Sequence, residues 1–100
     1  MKVEVVDFYP FSKHIVQGRS KAIGTMHIYI EEFNMDLKGI LVRQRGKRYF
    51  FFLPSQLAID AETKEKVRYP LISLLNEKKH KDMTYSIQKA GEEFFRNQEN

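Results

Sequence analysis

Residues 21 to 53 read KAIGTMHIYIEEFNMDLKGILVRQRGKRYFFFL, and this stretch decides the fold. Its first ten residues alternate between two sets, which is the period of two that is typical of a β-strand with one buried face. The two sets are Ala22, Gly24, Met26, Ile28 and Ile30 on one face, and Ile23, Thr25, His27 and Tyr29 on the other. We therefore predict a long strand that begins at Lys21.

The rest of the stretch predicts two further strands. Glu31-Glu32 lies at a turn, and a strand follows from about Asn34 to Gln44, with a bulge at Gly39 where the apolar positions change phase. Gln44-Arg45-Gly46-Lys47 predicts a second turn, and Arg48 to Leu53 forms a strand that is apolar on both faces. The three strands form a meander. The inward positions of its middle strand are Met35, Leu37, Ile40 and Val42.

The N-terminal residues predict one more strand, from Val3 to Phe8. Its apolar positions change phase between Val5 and Val6, which indicates a bulge. We expect Tyr9-Pro10-Phe11 to end this strand, because proline donates no hydrogen bond to a ladder. Lys13 to Ser20 contains a glycine and mixed polar residues and is predicted to be a loop.

The C-terminal half predicts a loop, a short strand and a helix. Residues 56 to 66 are polar, and Val67 to Leu71 is a short extended segment. Asp82 is the predicted N-cap of the helix, and Gly91 within it predicts a frayed C-terminal turn. The segment from Ile72 to Lys79 is ambiguous, and an earlier helical turn there is one interpretation. The apolar stripe of the helix, with a period of 3.6 residues, is Met83, Ile87, Ala90 and Phe94.

Five strands and one terminal helix predict a single α+β domain over residues 1–100, with an antiparallel sheet. One helix covers only part of one sheet face. The other face carries Tyr29, Leu41, Phe50 and Phe52, and an exposed apolar face of this kind favours self-association, most often as a two-fold homodimer through the sheet.

Composition excludes several classes of protein. The chain has 100 residues and no cysteine, which removes disulfide frameworks, cysteine-ligated zinc and thiol catalysis. Acidic residues within the first seven positions argue against a signal peptide. The longest apolar run, Tyr49 to Leu53, is far shorter than the ~20 residues of a membrane helix. We predict a soluble, cytoplasmic protein.

The positive charge is concentrated in one segment. Lys+Arg number 17 and Asp+Glu 13, a formal net charge of +4. No acidic residue occurs between Asp36 and Asp60, and a second basic cluster surrounds His80. The cations of the acid-free window are Lys38, Arg43, Arg45, Lys47 and Arg48, and those of the second cluster are Lys78, Lys79 and Lys81.

This charge pattern predicts nucleic-acid binding, because cations neutralise phosphates and neighbouring aromatic rings can stack on unpaired bases. The predicted binding residues are Arg43, Arg45, Lys47 and Arg48, with help from Lys78, Lys79 and Lys81. Two structural explanations remain open. A charged hairpin tip also keeps a sheet edge from aggregating, and a lysine run also forms a solvated surface. A different function, a non-catalytic module that docks a partner protein through its open sheet face, stays open as well.

The sequence offers no catalytic or metal-binding pattern. His14, His27 and His80 lie in no metal-ligand motif, and we expect His27 to be a packed strand residue. The adjacent pairs Glu31-Glu32 and Glu92-Glu93 diverge in direction, which is wrong for an acid and base couple. No nucleophile elbow or phosphate-binding glycine loop occurs. We predict no enzyme activity, no cofactor, no metal and no small-molecule substrate.

The order of several short motifs resembles the stage V sporulation protein G (SpoVG) family of small bacterial regulators. The motifs are Tyr9-Pro10-Phe11, Lys21-Ala22, the inward residues of the middle strand, Phe50 leading to Leu53-Pro54-Ser55, Val67-Arg68-Tyr69-Pro70-Leu71, and Ile87 with Ala90 in the final helix. The resemblance covers most of residues 3 to 95. It departs at the family's basic positions, where this chain has Gln56-Leu57-Ala58 and Lys64-Glu65-Lys66.

The resemblance implies an α+β fold and a homodimer joined through sheet edges. It further implies binding of DNA and RNA with weak sequence preference, in bacterial gene regulation, sporulation or septation control. Because the family's basic positions are not matched, other cations of this chain would have to bind the nucleic acid.

Overall fold

A computed structural model gives the fold and describes residues 1–59, 62–70 and 74–98. It contains six strands, one short 3₁₀ turn (Glu31–Phe33) and one helix. The strands are β1 (Val3–Gln17), β2 (Ser20–Ile30), β3 (Met35–Arg45), β4 (Arg48–Phe52), β5 (Ser55–Ile59) and β6 (Lys66–Pro70), and the helix is α1 (Glu77–Gln98). The predicted α+β class is confirmed.

Strands β1 to β4 form one antiparallel sheet in sequence order, and the predicted meander of β2, β3 and β4 is confirmed. The prediction of a fifth strand in this sheet is wrong for the described residues, because β6 pairs with β5 in a separate two-stranded sheet. β5 lies in a segment that was predicted to be a loop. Pro54 cannot donate to a ladder and ends β4, and the chain then pairs with its own near neighbours, where closing a short loop loses little entropy. Leu71 lies outside the described residues.

β1 is much longer than predicted. It continues past Pro10, shifts register between Pro10 and Ile15, and pairs with β2 as far as Gln17, so the predicted loop from Lys13 to Ser20 is wrong. β1 is an edge strand, and proline is tolerated at an edge because its missing donor need not face the ladder. The predicted bulge near Val6 is confirmed by a second register shift.

The predicted alternation of β2 holds from Gly24 to Ile30, where even positions are buried and odd positions are half-buried. It fails at Ala22 and Ile23, which are both buried beside a register shift between Ala22 and Gly24. The bulge predicted at Gly39 is confirmed: the residue has a φ of +77° at a register shift against β2. A glycine adopts this left-handed conformation without strain.

Helix α1 begins six residues earlier than predicted, at Glu77. Asn76 caps it, since the Lys79 backbone N–H donates to the Asn76 Oδ1 at 3.1 Å. Asp82, the predicted cap, lies inside the helix and pairs instead with the Met1 amino group at 3.6 Å. Asn76 is itself an N-cap residue type, and the cationic residues after it obscured the start of the helix. Residues 71–73 lie outside the described ranges.

The helix packs on one face of the four-stranded sheet. Met83 and Ile87 of the predicted stripe are buried, whereas Ala90 and Phe94 are half-buried and the stripe turns to Gly91 and Phe95. The residues that are fully buried between the layers are Met26, Ile28, Ile30, Ile40, Val42 and Met83.

Gly91 sets the distance between the helix and β4. A Cβ at this position would overlap the ring of Phe51, so only glycine lets the helix approach the strand this closely. One turn later, the ring of Phe95 stacks on Tyr49 with centroids 4.2 Å apart. The expected fraying at Gly91 is therefore replaced by a buried contact.

Candidate nucleic-acid interface

The two hairpin turns of the sheet lie at the same end of the molecule. Gly18 and Arg19 connect β1 to β2, and Gly46 and Lys47 connect β3 to β4. Both glycines have positive φ, +60° and +62°, at the first central position of a two-residue loop, as type II′ turns require. Each turn therefore presents a cation at its tip. We call this end of the sheet, with residues 17–21, 43–48 and the last turns of α1, the basic end.

Arg43 joins the two hairpins. Its Nε and Nη2 atoms donate to the Ser20 Oγ at 3.2 and 3.1 Å, across β2 and β3. The Arg43 side chain is half-buried and its charge is directed along the sheet toward the first turn. This contact ties the tip of one hairpin to the strand of the other.

Arg45 and Arg48 lie directly opposite each other on β3 and β4, and both are exposed. Like charges in this arrangement repel, which destabilises a strand pair. The Arg48 guanidinium also lies 5.7 Å from the ring centroid of Phe50. Throughout the described ranges, no ion pair involves Arg43, Arg45, Lys47 or Arg48.

A cleft of about 160 Å³ opens between the β3–β4 turn and the end of the helix. Its lining contains three cations, one aromatic ring and one carboxylate. The cations are Lys47, Arg48 and Arg96, the ring is Tyr49 and the carboxylate is Glu92. The carboxylate of Glu92 accepts a hydrogen bond from Gln88 Nε2 at 2.7 Å, and the same nitrogen donates to the Tyr49 carbonyl at 2.6 Å. Gln88 thus holds the acid against β4, and the cations around it face the solvent.

The sequence analysis missed Arg19, Lys21 and Arg96, which the fold brings to the basic end. Arg19 lies within the predicted loop of residues 13–20, and Lys21 is predicted only as the first residue of a strand, so neither is placed beside the β3–β4 turn. The signal was present in the repeated Gly-cation dipeptides at 18–19 and 46–47, because alternate turns of an antiparallel meander must lie at one end of the sheet. Arg96 carried no signal, since its position depends on helix packing.

The opposite end of the sheet has a different electrostatic character. Lys2 pairs with Glu31 at 3.3 Å, Lys79 approaches Glu32 at 4.0 Å, and the Met1 amino group pairs with Asp82. Lys78, Lys79 and Lys81 begin α1 here, and Lys79 is about 25 Å from Arg96 along the helix axis. The structure therefore does not bring the two predicted groups of cations together.

The sheet face away from the helix carries a row of side chains across all four strands. The row is Tyr9, Thr25, Leu41 and Phe52, each paired in register with the next. Tyr9 is 51% exposed and Phe52 is 49% exposed. Phe50 lies on the same face and pairs directly with Arg43. Tyr29, which shares this face, donates its hydroxyl to the Asn34 Oδ1 at 2.6 Å. We call this surface the open face.

His27 is a packed strand residue on the open face, as predicted. Its side chain is 13% exposed, and Nε2 lies 3.2 Å from the Asp36 Oδ1 in a geometry that does not form a hydrogen bond. The cations of the basic end are farther along the sheet, so His27 and Asp36 are part of the packed sheet and not of the basic end.

Fold and site together define an α+β domain with a group of cations that form no ion pairs among the described residues, Arg45, Lys47 and Arg48, at one end of a four-stranded sheet. No protein-family model, curated protein or solved structure matches this chain. The SpoVG resemblance therefore stays a prediction. Within the described ranges, no helix has the length and apolar character that crossing a membrane requires.

Proposed function

We propose that this protein binds nucleic acid by contacts between the basic end and the phosphate backbone. The observation that supports this best is the separation of charge: among the described residues the ion pairs lie away from the basic end, where Arg45, Lys47 and Arg48 have no ion-pair partner. A polyanion supplies the neutralisation that the fold does not.

Arg45, Lys47 and Arg48 are the proposed phosphate contacts, and Arg43 holds the two hairpins in position beside them. Phosphate contacts fix the protein on its ligand but read no bases, so weak sequence preference follows. Lys78, Lys79 and Lys81 are predicted to contact phosphates at a second location, at the opposite end of the sheet. A strand that reaches them from the basic end spans about 25 Å, which is roughly seven nucleotides when its bases stay stacked at about 3.4 Å each.

We further propose that the protein acts as a homodimer joined through the outer edge of β1. This edge is 15 residues long, whereas the edge at β4 has five. Val6, Ile15 and Val16 are more than half exposed on β1. A long edge strand with unpaired backbone groups and exposed apolar side chains is a template for pairing with another strand, and a second copy of β1 supplies one. Pairing there doubles the basic end and leaves the open face uncovered. Size-exclusion chromatography with light scattering tests it, and a monomer at micromolar concentration contradicts it.

Fluorescence anisotropy with labelled oligonucleotides across a salt series tests the main proposal. The triple variant Arg45→Ala/Lys47→Ala/Arg48→Ala should lose most of the affinity at low salt. The matched control is Lys78→Ala/Lys79→Ala/Lys81→Ala, which removes the same charge from the opposite end. With an oligomer of six nucleotides only the first variant should weaken binding, and with one of twenty nucleotides both should.

Absence of binding to any oligomer at low salt would overturn the proposal and favour the alternative, a module that docks a partner protein through the open face. A role in gene regulation or septation control remains what the SpoVG resemblance implies.

A further inference from the structure

We infer that the preferred ligand is single-stranded nucleic acid, with bases stacked on the aromatic rings of the open face while the phosphates lie on the basic end. This inference rests on the proposed function and names its substrate class. Three features carry it: half-exposed rings on the open face, the contact of the neighbouring Phe50 ring with cations, and the spacing of Phe50 and Phe52.

The rings are available to a ligand. Phe52 and Tyr9 each expose about half of their surface although both lie within a sheet whose other face is fully packed. Single exposed apolar residues are ordinary, but Tyr9 and Phe52 belong to one continuous row with Thr25 and Leu41, and a contiguous exposed patch points to a binding surface. Every base has a flat face that can stack on such a ring.

The rings also adjoin the cations. Phe50 pairs directly with Arg43, and the Arg48 guanidinium lies 5.7 Å from the Phe50 centroid. Moving along β4 from the turn, a ligand meets Arg48, then Phe50, then Phe52, all on one face. A strand bound in this direction places phosphates near the arginines and bases over the rings, and this combination of cation and ring recognises unpaired nucleotides.

The spacing of the rings suits an unpaired strand. Phe50 and Phe52 are two residues apart on one strand, or about 6.8 Å, which is roughly twice the 3.4 Å rise between stacked bases. In a duplex both faces of each base are covered by the neighbouring bases, so the exposed rings of the open face cannot stack on them. Reading a duplex groove requires a protruding helix or ribbon.

The test compares three labelled ligands of equal phosphate number per strand: a twelve-nucleotide oligothymidine, an abasic strand of the same length, and a blunt duplex of twelve base pairs. The full chain is titrated with each at one salt concentration. We expect oligothymidine to bind at least tenfold more tightly than the abasic strand.

Two variants locate the stacking. Phe52→Leu keeps an apolar side chain but removes the ring, and should weaken oligothymidine binding about fivefold or more while leaving the abasic strand unaffected. Tyr9→Leu should act in the same direction. The matched control is Tyr85→Leu, which removes a 61% exposed ring from α1, away from the open face, and should change no affinity. Thermal melting of each variant checks that it folds.

Each failure has its own signature. Equal affinity for oligothymidine and the abasic strand, or tighter binding of the duplex, overturns the single-strand inference and leaves phosphate binding intact. No binding to any of the three ligands overturns the proposed function as well. If Phe52→Leu weakens all three ligands equally, Phe52 supports the fold or a protein contact, and base stacking on it is rejected.

Discussion

Arg45 and Arg48 occupy directly opposed positions at the end of the β3–β4 hairpin, one residue on each side of the Gly46-Lys47 turn. Two positive charges in this arrangement repel each other, and in the described ranges no carboxylate pairs with either. A hairpin selected for stability alone would place an opposite charge or an aromatic pair here. The repulsion is relieved when an anion binds between the two side chains. Replacing one of the two arginines should therefore raise the stability of the protein and weaken its binding of the anion.

Replacing Arg45 by threonine should therefore raise stability and weaken nucleic-acid binding. We expect a gain of a few tenths of a kcal/mol, since exposed like-charge pairs across a strand destabilise by about that amount and β-branched residues suit a strand. Chemical denaturation measures the first effect and anisotropy the second. A double-mutant cycle with Arg48→Thr isolates the pair. A cycle that shows favourable coupling between the two arginines would contradict the conclusion that Arg45 and Arg48 repel each other.

The salt dependence of binding should count the phosphate contacts. Each contact contributes about −0.7 to the slope of log K against log salt for a single strand. The variant Arg45→Ala/Lys47→Ala/Arg48→Ala should therefore have a slope shallower by about 2 than the unaltered protein. The same slope in both proteins would show that these three side chains do not contact phosphates, whatever the change in affinity.

Gly91→Ala should destabilise the protein despite alanine's better helix propensity. Propensity alone favours alanine by about 1 kcal/mol, but the added methyl overlaps the Phe51 ring and forces the helix away from β4. We expect a net loss of about 1–3 kcal/mol in the free energy of unfolding. The second-site change Phe51→Ala makes room for the methyl, so the double variant should lose less than the sum of the single ones. A melting temperature that rises with Gly91→Ala alone would contradict this prediction, because it would show that a methyl group fits between the helix and the Phe51 ring.

The start of α1 can be tested with two caps. Asn76→Ala removes the hydrogen bond to the Lys79 N–H and should cost about 1 kcal/mol of stability. Asp82→Ala removes a half-exposed ion pair with the Met1 amino group and an exposed 3.4 Å hydrogen bond from the Ser86 hydroxyl, and should cost between about 0 and 1 kcal/mol. Denaturant midpoints measured side by side rank the two. The reverse ranking would place the functional cap at Asp82.

Several elements could be predicted because local physics decided them. The alternation from Gly24 to Ile30 has one interpretation, since a period of two buries one face of a strand and no other regular structure does so. Gly39 predicted its bulge because the apolar phase changes there and a bulge needs a residue that tolerates positive φ. The acid-free window predicted where Arg45, Lys47 and Arg48 are concentrated, because a two-residue turn keeps neighbours in sequence close in space.

Other elements depended on partners that are distant in sequence. Pro10 ends a strand in isolation, yet β1 continues beyond it, because the strand lies at an edge and its pairing with β2 resumes at Ile15 after an irregularity. Arg43 and Ser20 are 23 residues apart, and their contact arises only from the register of β2 against β3. The helix start at Asn76 followed from a cap that the lysine run after it obscured.

By itself, the sequence determined the fold class, the meander and the cations of the β3–β4 hairpin, because each depends on residue type within about ten neighbours. Only the tertiary structure decided that Arg19, Lys21 and Arg96 join that hairpin, and that Lys78, Lys79 and Lys81 lie at the other end, about 25 Å away. The physical reason is that charge adds up through space. Which cations act together is set by strand register and helix packing, and neither is encoded in any short stretch of chain.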